Sequence, residues 1–111
     1  MDAGLAKVKK KTEFEQMLDN AREASDFLKS LANENRLLIL CLLAEGELSV
    51  TELENALGIR QPTTSQQLAR LRADELVSHR REGKTIYYSL ASDEARKVVA
   101  LVYDLFCAGK K

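Results

Sequence analysis

The sequence predicts a mainly α-helical domain with one small β-hairpin near its C-terminal end, and three observations carry that expectation. From Glu13 to Leu31, apolar residues such as Phe14, Met17, Leu18, Phe27 and Leu28 return at helical spacing. Ser49 with Glu52, and then Pro62, supply two helix-start signals on either side of Gly58, which marks a turn between two short helices. Beyond them Ile86, Tyr88 and Leu90 alternate with Thr85, Tyr87 and Ser89, the period of a strand.

Each element follows in order. Met1 to Thr12 holds Lys7, Lys9, Lys10 and Lys11 without apolar periodicity and is expected to be a flexible basic tail, leaving 13–111 as a single folded domain. The first helix, from Glu13, has a wide apolar stripe for an element at the end of a small domain, so part of it is expected to face another subunit. The second, about Glu34 to Glu45, contains LLILCLLA and should be the buried centre, closed by Gly46. The third runs from the Ser49 cap through Leu53 and Leu57 to Gly58. The fourth begins with Pro62 in its first turn and Gln61 or Arg60 at the cap; Leu68 and Leu71 hold it to the body while Arg70 and Arg72 stay outside. Leu76 to Arg81 and Thr85 to Leu90 form the hairpin around Glu82-Gly83-Lys84. Ser92 caps a last helix with Asp93 and Glu94 in its first turn and an apolar stripe through Val98, Leu101, Val102, Leu105 and Phe106. Helix, glycine turn, polar-faced helix and then a hairpin is the order of a winged helix-turn-helix, and the stripes on the first and last helices imply a homodimer.

Composition narrows the function. A chain of 111 residues with 45% apolar content can bury one core, which a dimer interface would supplement. It shows no apolar run long enough to span a bilayer and no signal core, so a cytoplasmic protein without membrane contact is expected. Net charge is zero, but its distribution is uneven. Glu13 to Glu54 holds ten acids and three bases, whereas Asn55 to Thr85 holds six bases and three acids. An acidic body with a basic end is the asymmetry of a DNA reader.

The fourth helix carries the chemistry for that reading. Gln61, Thr63, Thr64, Ser65, Gln66 and Gln67 place short hydroxyls and amides where an ordinary surface helix would carry Glu and Lys. Amides pair with adenine edges, threonine methyls meet thymine methyls, and hydroxyls reach phosphate oxygens. Arg70 on this helix is expected to contact DNA, and Arg80, Arg81 and Lys84 on the hairpin to meet phosphate beside the groove. His79, the sole histidine, is either structural or a minor phosphate contact. No nucleophile, base and orienting group can be assembled, so an enzyme is not expected, and no cofactor is implied.

The run from LANENRLLILCLL through ELSVTELENALGIRQPTTSQQLARLR to GKTIYYSL resembles the ArsR/SmtB family of small dimeric winged-helix repressors over nearly the whole folded chain. The resemblance implies a homodimer that binds double-stranded operator DNA and releases it when an inducer engages a second site. Metal-sensing members carry thiols at the start of the third helix, or His and carboxylate clusters on the last. This chain has Ser49 and Thr51 at the first place and no histidine at the second, so no metal site is expected. Cys41 and Cys107 remain, 66 positions apart. Without the family they read as inert core residues. Their placement resembles the sulfide- and persulfide-responsive subgroup, the BigR and SqrR type, and implies a dithiol sensor with reactive sulfur species as inducer. A metal- or peroxide-responsive repressor, and a constitutive DNA-binding or protein-interaction module with inert cysteines, are the alternatives.

Overall fold

Around the apolar run of the second helix the other described helices and the sheet are packed. In the computed structural model, residues 12–58 and 62–108 are described, as α1 (Glu13–Leu31), α2 (Glu34–Leu43), β1 (Leu48–Ser49), α3 (Val50–Leu57), α4 (Thr63–Ala73), β2 (Val77–Glu82), β3 (Thr85–Leu90) and α5 (Asp93–Phe106). Apart from Thr12, the Lys-rich tail lies outside the described residues. Thr12 belongs to α1: its hydroxyl accepts from the Glu15 backbone N–H while the Glu15 carboxylate accepts from the Thr12 N–H, a capping box that ties the residue to the helix.

α2 ends at Leu43, two residues earlier than its apolar run suggests. Ile39, Leu40 and Leu43 are buried, and Leu38 is 44% exposed, so one side of this helix reaches the surface. The Ser49–Glu52 capping box opens α3, and Gly58 closes it in the left-handed conformation (φ 71°). Leu53, Leu68 and Leu71 join Ile39, Leu40, Tyr88, Ala95 and Val99 in one core between the helices and the sheet.

The sheet has three antiparallel strands in the order β1-β3-β2, one more than the sequence reading expects. The extra strand is only Leu48–Ser49, too short for periodicity to mark; it pairs with Tyr88 and Tyr87 of β3. β2 and β3 are joined by the two-residue turn Gly83-Lys84, with Glu82 opposite Thr85. Gly83 takes φ 63°, which the tight turn requires and a side chain would oppose. Alternation then gives the hairpin two faces. Val77, His79 and Arg81 pair with Leu90, Tyr88 and Ile86 on the face that carries the buried residues, whereas Ser78, Arg80 and Glu82 pair with Ser89, Tyr87 and Thr85 on the other.

Candidate nucleic-acid interface

α4 packs against both α3 and the β2 strand of the hairpin, and it carries most of the residues expected to read DNA. Pro62 occupies the N-cap position itself (φ −88°, ψ 0°) and makes no side-chain cap bond. This corrects the placement of Pro62 inside the first turn; Gln61, expected at the cap and on the DNA surface, lies outside the described residues, as do Ile59 and Arg60.

Burial sorts the polar residues of α4. Thr64, Leu68 and Leu71 lie on one stripe at i, i+4 and i+7, and all three are buried. Thr64 is fully buried and its hydroxyl has no partner among the described residues, so this side chain belongs to the core and not to the base-reading set. Ser65, Gln66, Arg70 and Arg72 are exposed, and Thr63 is half-buried. Gln67 is a second correction. Its side-chain oxygen accepts from Arg36 Nη1 at 2.9 Å, which turns the amide toward α2 and away from the open face.

Arg36 is the centre of a polar clamp at the end of α1. Its Nε donates to the Ser30 carbonyl at 2.7 Å and its Nη2 to the Lys29 carbonyl at 3.1 Å, so the guanidinium satisfies carbonyls at the C-terminus of α1 while gripping α4 through Gln67. Burial, and then the charge of Arg70, hold the Arg36 pKa below its ordinary value. The Ser30 hydroxyl donates to Asp74 just beyond α4, and Arg70 Nε meets the same carboxylate at 2.8 Å. The Ser30 hydrogen bond is the largest influence on the Asp74 pKa and lowers it; burial, next in size, opposes it, and the contacts with Arg70 and then Arg36 add to the lowering. Arg70 is therefore anchored through one nitrogen but still 46% exposed at the surface expected to contact DNA.

On the hairpin, Arg81 and Lys84 are exposed and have no ion pair among the described residues, which suits them to phosphate. Arg80 differs from the expectation. Its Nε and Nη2 donate to the two carboxylate oxygens of Glu47 at 2.8 Å each, and its guanidinium lies over the Tyr87 ring, 4.6 Å from the centroid. The face it occupies is the one opposite the buried residues, and two of its five N–H donors are engaged by Glu47, so Arg80 is held across the sheet and not free at the hairpin tip. His79 stacks on Tyr88 at 5.5 Å, the structural role among its two expected ones.

Cys41 and Cys107 are both free thiols, the first half-buried on α2 and the second exposed just past α5, two helices that pack together. Burial pushes the Cys41 thiol up, and the charge of Cys107 adds to that shift. Among the described residues no three His, Cys, Asp or Glu side chains converge as a metal-binding set, and no helix is long and apolar enough to cross a membrane.

Residues 33–79 match the family described as bacterial regulatory protein, arsR family. The chain is 50% identical over 92 residues to the biofilm growth-associated repressor of Agrobacterium fabrum, covering 83% of this chain and 79% of that protein. It is 44% identical over 93 residues to the transcriptional activator HlyU of Vibrio cholerae, with 84% and 86% covered. The crystal structure of the transcriptional repressor BigR from Xylella fastidiosa superposes with a TM-score of 0.83 at 44% identity, over 87% of this chain and 99% of that one.

Proposed function

This chain belongs to the ArsR family of bacterial regulatory proteins, and from that premise we propose that it is a cytoplasmic, homodimeric repressor that reads double-stranded operator DNA and is not an enzyme. The observation that carries the reading is the open face of α4. Ser65 and Gln66 stand exposed on a helix whose opposite stripe is buried, flanked by Arg70, Arg72 and the hairpin cations Arg81 and Lys84. Hydrogen-bonding groups at the centre and charge at the edges suit base edges and phosphates respectively. Duplexes selected from a random-sequence pool by the purified protein test this. A recurring two-fold-symmetric site with half-sites about one helical turn apart is the expected product, and a pool that stays random ends the reading. Because one relative is named a repressor and another an activator, the selected site is then placed over a promoter; falling transcript identifies a repressor and rising transcript an activator.

We further propose that the Cys41–Cys107 pair switches DNA affinity, with sulfane sulfur as inducer. Cys107 is exposed and meets the reagent, whereas burial disfavours the Cys41 thiolate. The Cys107 thiolate attacks the sulfane sulfur of a persulfide RS–SH, forming a Cys107 persulfide and releasing the thiolate RS⁻. Cys41, giving up its proton, then attacks the inner sulfur and expels HS⁻, so two thiols are oxidised as the sulfane sulfur is reduced to sulfide. A second sulfane sulfur inserted before closure lengthens the link. Joining α2 to the end of α5 alters the relation between the reading unit and the α5 face assigned to the dimer, and a coupling of about 1–3 kcal/mol is enough to release DNA. Intact mass and DNA affinity are measured on the same samples after sulfane sulfur, peroxide or metal. Cys41→Ser and Cys107→Ser proteins are expected to bind DNA and ignore sulfane sulfur. If both single variants respond like the unmodified protein, the thiols are not the sensor.

A further inference from the structure

The outer face of the hairpin carries a contact that DNA reading does not itself use. Register sets Arg80 beside Tyr87 and Tyr87 beside Ser49, so these three lie side by side across β2, β3 and β1. Glu47, two residues before Ser49, falls on the same face by alternation. The Arg80 side chain crosses the whole sheet over the Tyr87 ring and ends in the two-point contact with Glu47, while Nη1 stands 3.4 Å from Glu82 on its own strand. Glu47 sits on the segment between α2 and β1, so this strap ties the hairpin to the body of the domain. It acts beside the short β1–β3 ladder of Leu48 and Ser49, and Ser89 of β3 also hydrogen-bonds the Glu47 carboxylate. The hydrogen bonds from Arg80 hold the Glu47 carboxyl below its ordinary pKa, so the pair stays charged at neutral pH.

We propose that Glu47 is a positioning residue for DNA binding: by holding Arg80 flat on Tyr87 it fixes the angle of the hairpin and aims Arg81 and Lys84 at phosphate, while Arg80 itself neutralises none. The inference rests on the DNA-binding reading, and its sign separates it from simple electrostatics. An acid near DNA repels the backbone, so charge alone makes its removal strengthen binding. Loss of a strap weakens binding instead.

The test is a salt titration of DNA affinity, on a selected site and on a random duplex, for Glu47→Gln, Arg80→Ala, the two combined, Lys84→Ala, and the exchanged pair Glu47→Arg with Arg80→Glu. Glu47→Gln and Arg80→Ala are each expected to weaken both duplexes by about two- to fivefold, the range of an exposed ion pair. The combined variant should be no weaker than either single one, because both break the same contact. Arg80→Ala should leave the salt slope unchanged, whereas Lys84→Ala lowers it by about 0.9, one phosphate contact. The exchanged pair should recover affinity, with unfolding temperatures checked to show that every variant is folded. Tighter or unchanged binding by Glu47→Gln, or a fall of about 0.9 in the slope for Arg80→Ala, overturns the proposal. Failure of the unmodified protein to bind either duplex is a different result, which removes the DNA-binding reading and this inference with it.

Discussion

At the scale of single residues, polar side chains that look equivalent in sequence have different jobs once the helix phase is fixed. Thr64 and Ser65 are neighbours, yet one is fully buried and the other exposed. The phase was legible: Thr64 stands four before Leu68 and seven before Leu71, on the apolar stripe itself. Thr64→Val is therefore expected to keep DNA binding and to leave stability unchanged or raise it by up to about 1 kcal/mol, because it removes a buried hydroxyl without a partner among the described residues. Thermal unfolding and a DNA titration check both halves; weakened sequence preference would return Thr64 to the reading set. Gln66 and Gln67 divide in the same way. Gln66→Ala is expected to lose discrimination between a selected site and random DNA, by about 1–3 kcal/mol if it makes a bidentate base contact. Gln67→Ala, which releases Arg36, is expected to weaken both DNAs alike and to lower stability. No spacing rule reveals that partner, since Arg36 lies 31 residues away.

At the scale of elements, local signals placed most helix ends correctly, because caps are short-range chemistry. Ser49, Gly58 and Ser92 all act where their residue types predict. β1 was illegible because a two-residue strand is defined only by its partner, and the end of α4 was illegible for a similar reason. There Glu75 takes φ 64° and the Leu76 N–H reaches back to the Leu71 carbonyl, a turn normally given to glycine. The polar clamp between α1 and α4 is likewise a product of tertiary packing, and it makes a pH prediction. The folded Asp74 pKa is lowered, so its contribution to stability is present above the unfolded carboxyl value of about 3.9 and is lost as pH falls through the lower folded value. The unmodified protein should accordingly lose stability in this acid range more steeply than Asp74→Asn. At pH 7 that variant is expected to be less stable by roughly 1 kcal/mol, discounted for partial exposure. Chemical denaturation between pH 3 and pH 7, taken as approximate limits around that carboxyl value, provides the comparison; parallel curves would show that the clamp does not depend on the Asp74 charge.

At the scale of the whole molecule, the first and last helices have faces that one chain does not cover. Its thinnest dimension is 20 Å, about two helix diameters, so there is no third layer to bury both. Phe14, Met17, Leu18 and Leu28 on α1 and Leu101, Leu105 and Phe106 on α5 are each at least 55% exposed. Side chains of this kind, at helical spacing on two elements, are expected to pack against a second copy of the chain, as the sequence stripes already implied. In a two-fold interface each substitution is felt twice. Burying one Leu contributes about 1.5–3 kcal/mol, so Leu101→Glu is expected to weaken dimerisation by at least 3 kcal/mol, roughly a hundredfold or more. Leu101 is 55% exposed, so the change leaves the protomer core intact, and circular dichroism verifies that directly. Sedimentation should find the variant monomeric at concentrations where the unmodified protein is dimeric. DNA binding follows from the same change, because a monomer presents one α4 to a two-half-site sequence and loses the joint contact of the second. The variant is thus expected to lose affinity for a selected symmetric site far more than for an isolated half-site. If Leu101→Glu remains a dimer, or loses equal affinity on both, the exposed α5 face is not the surface that pairs the two reading helices.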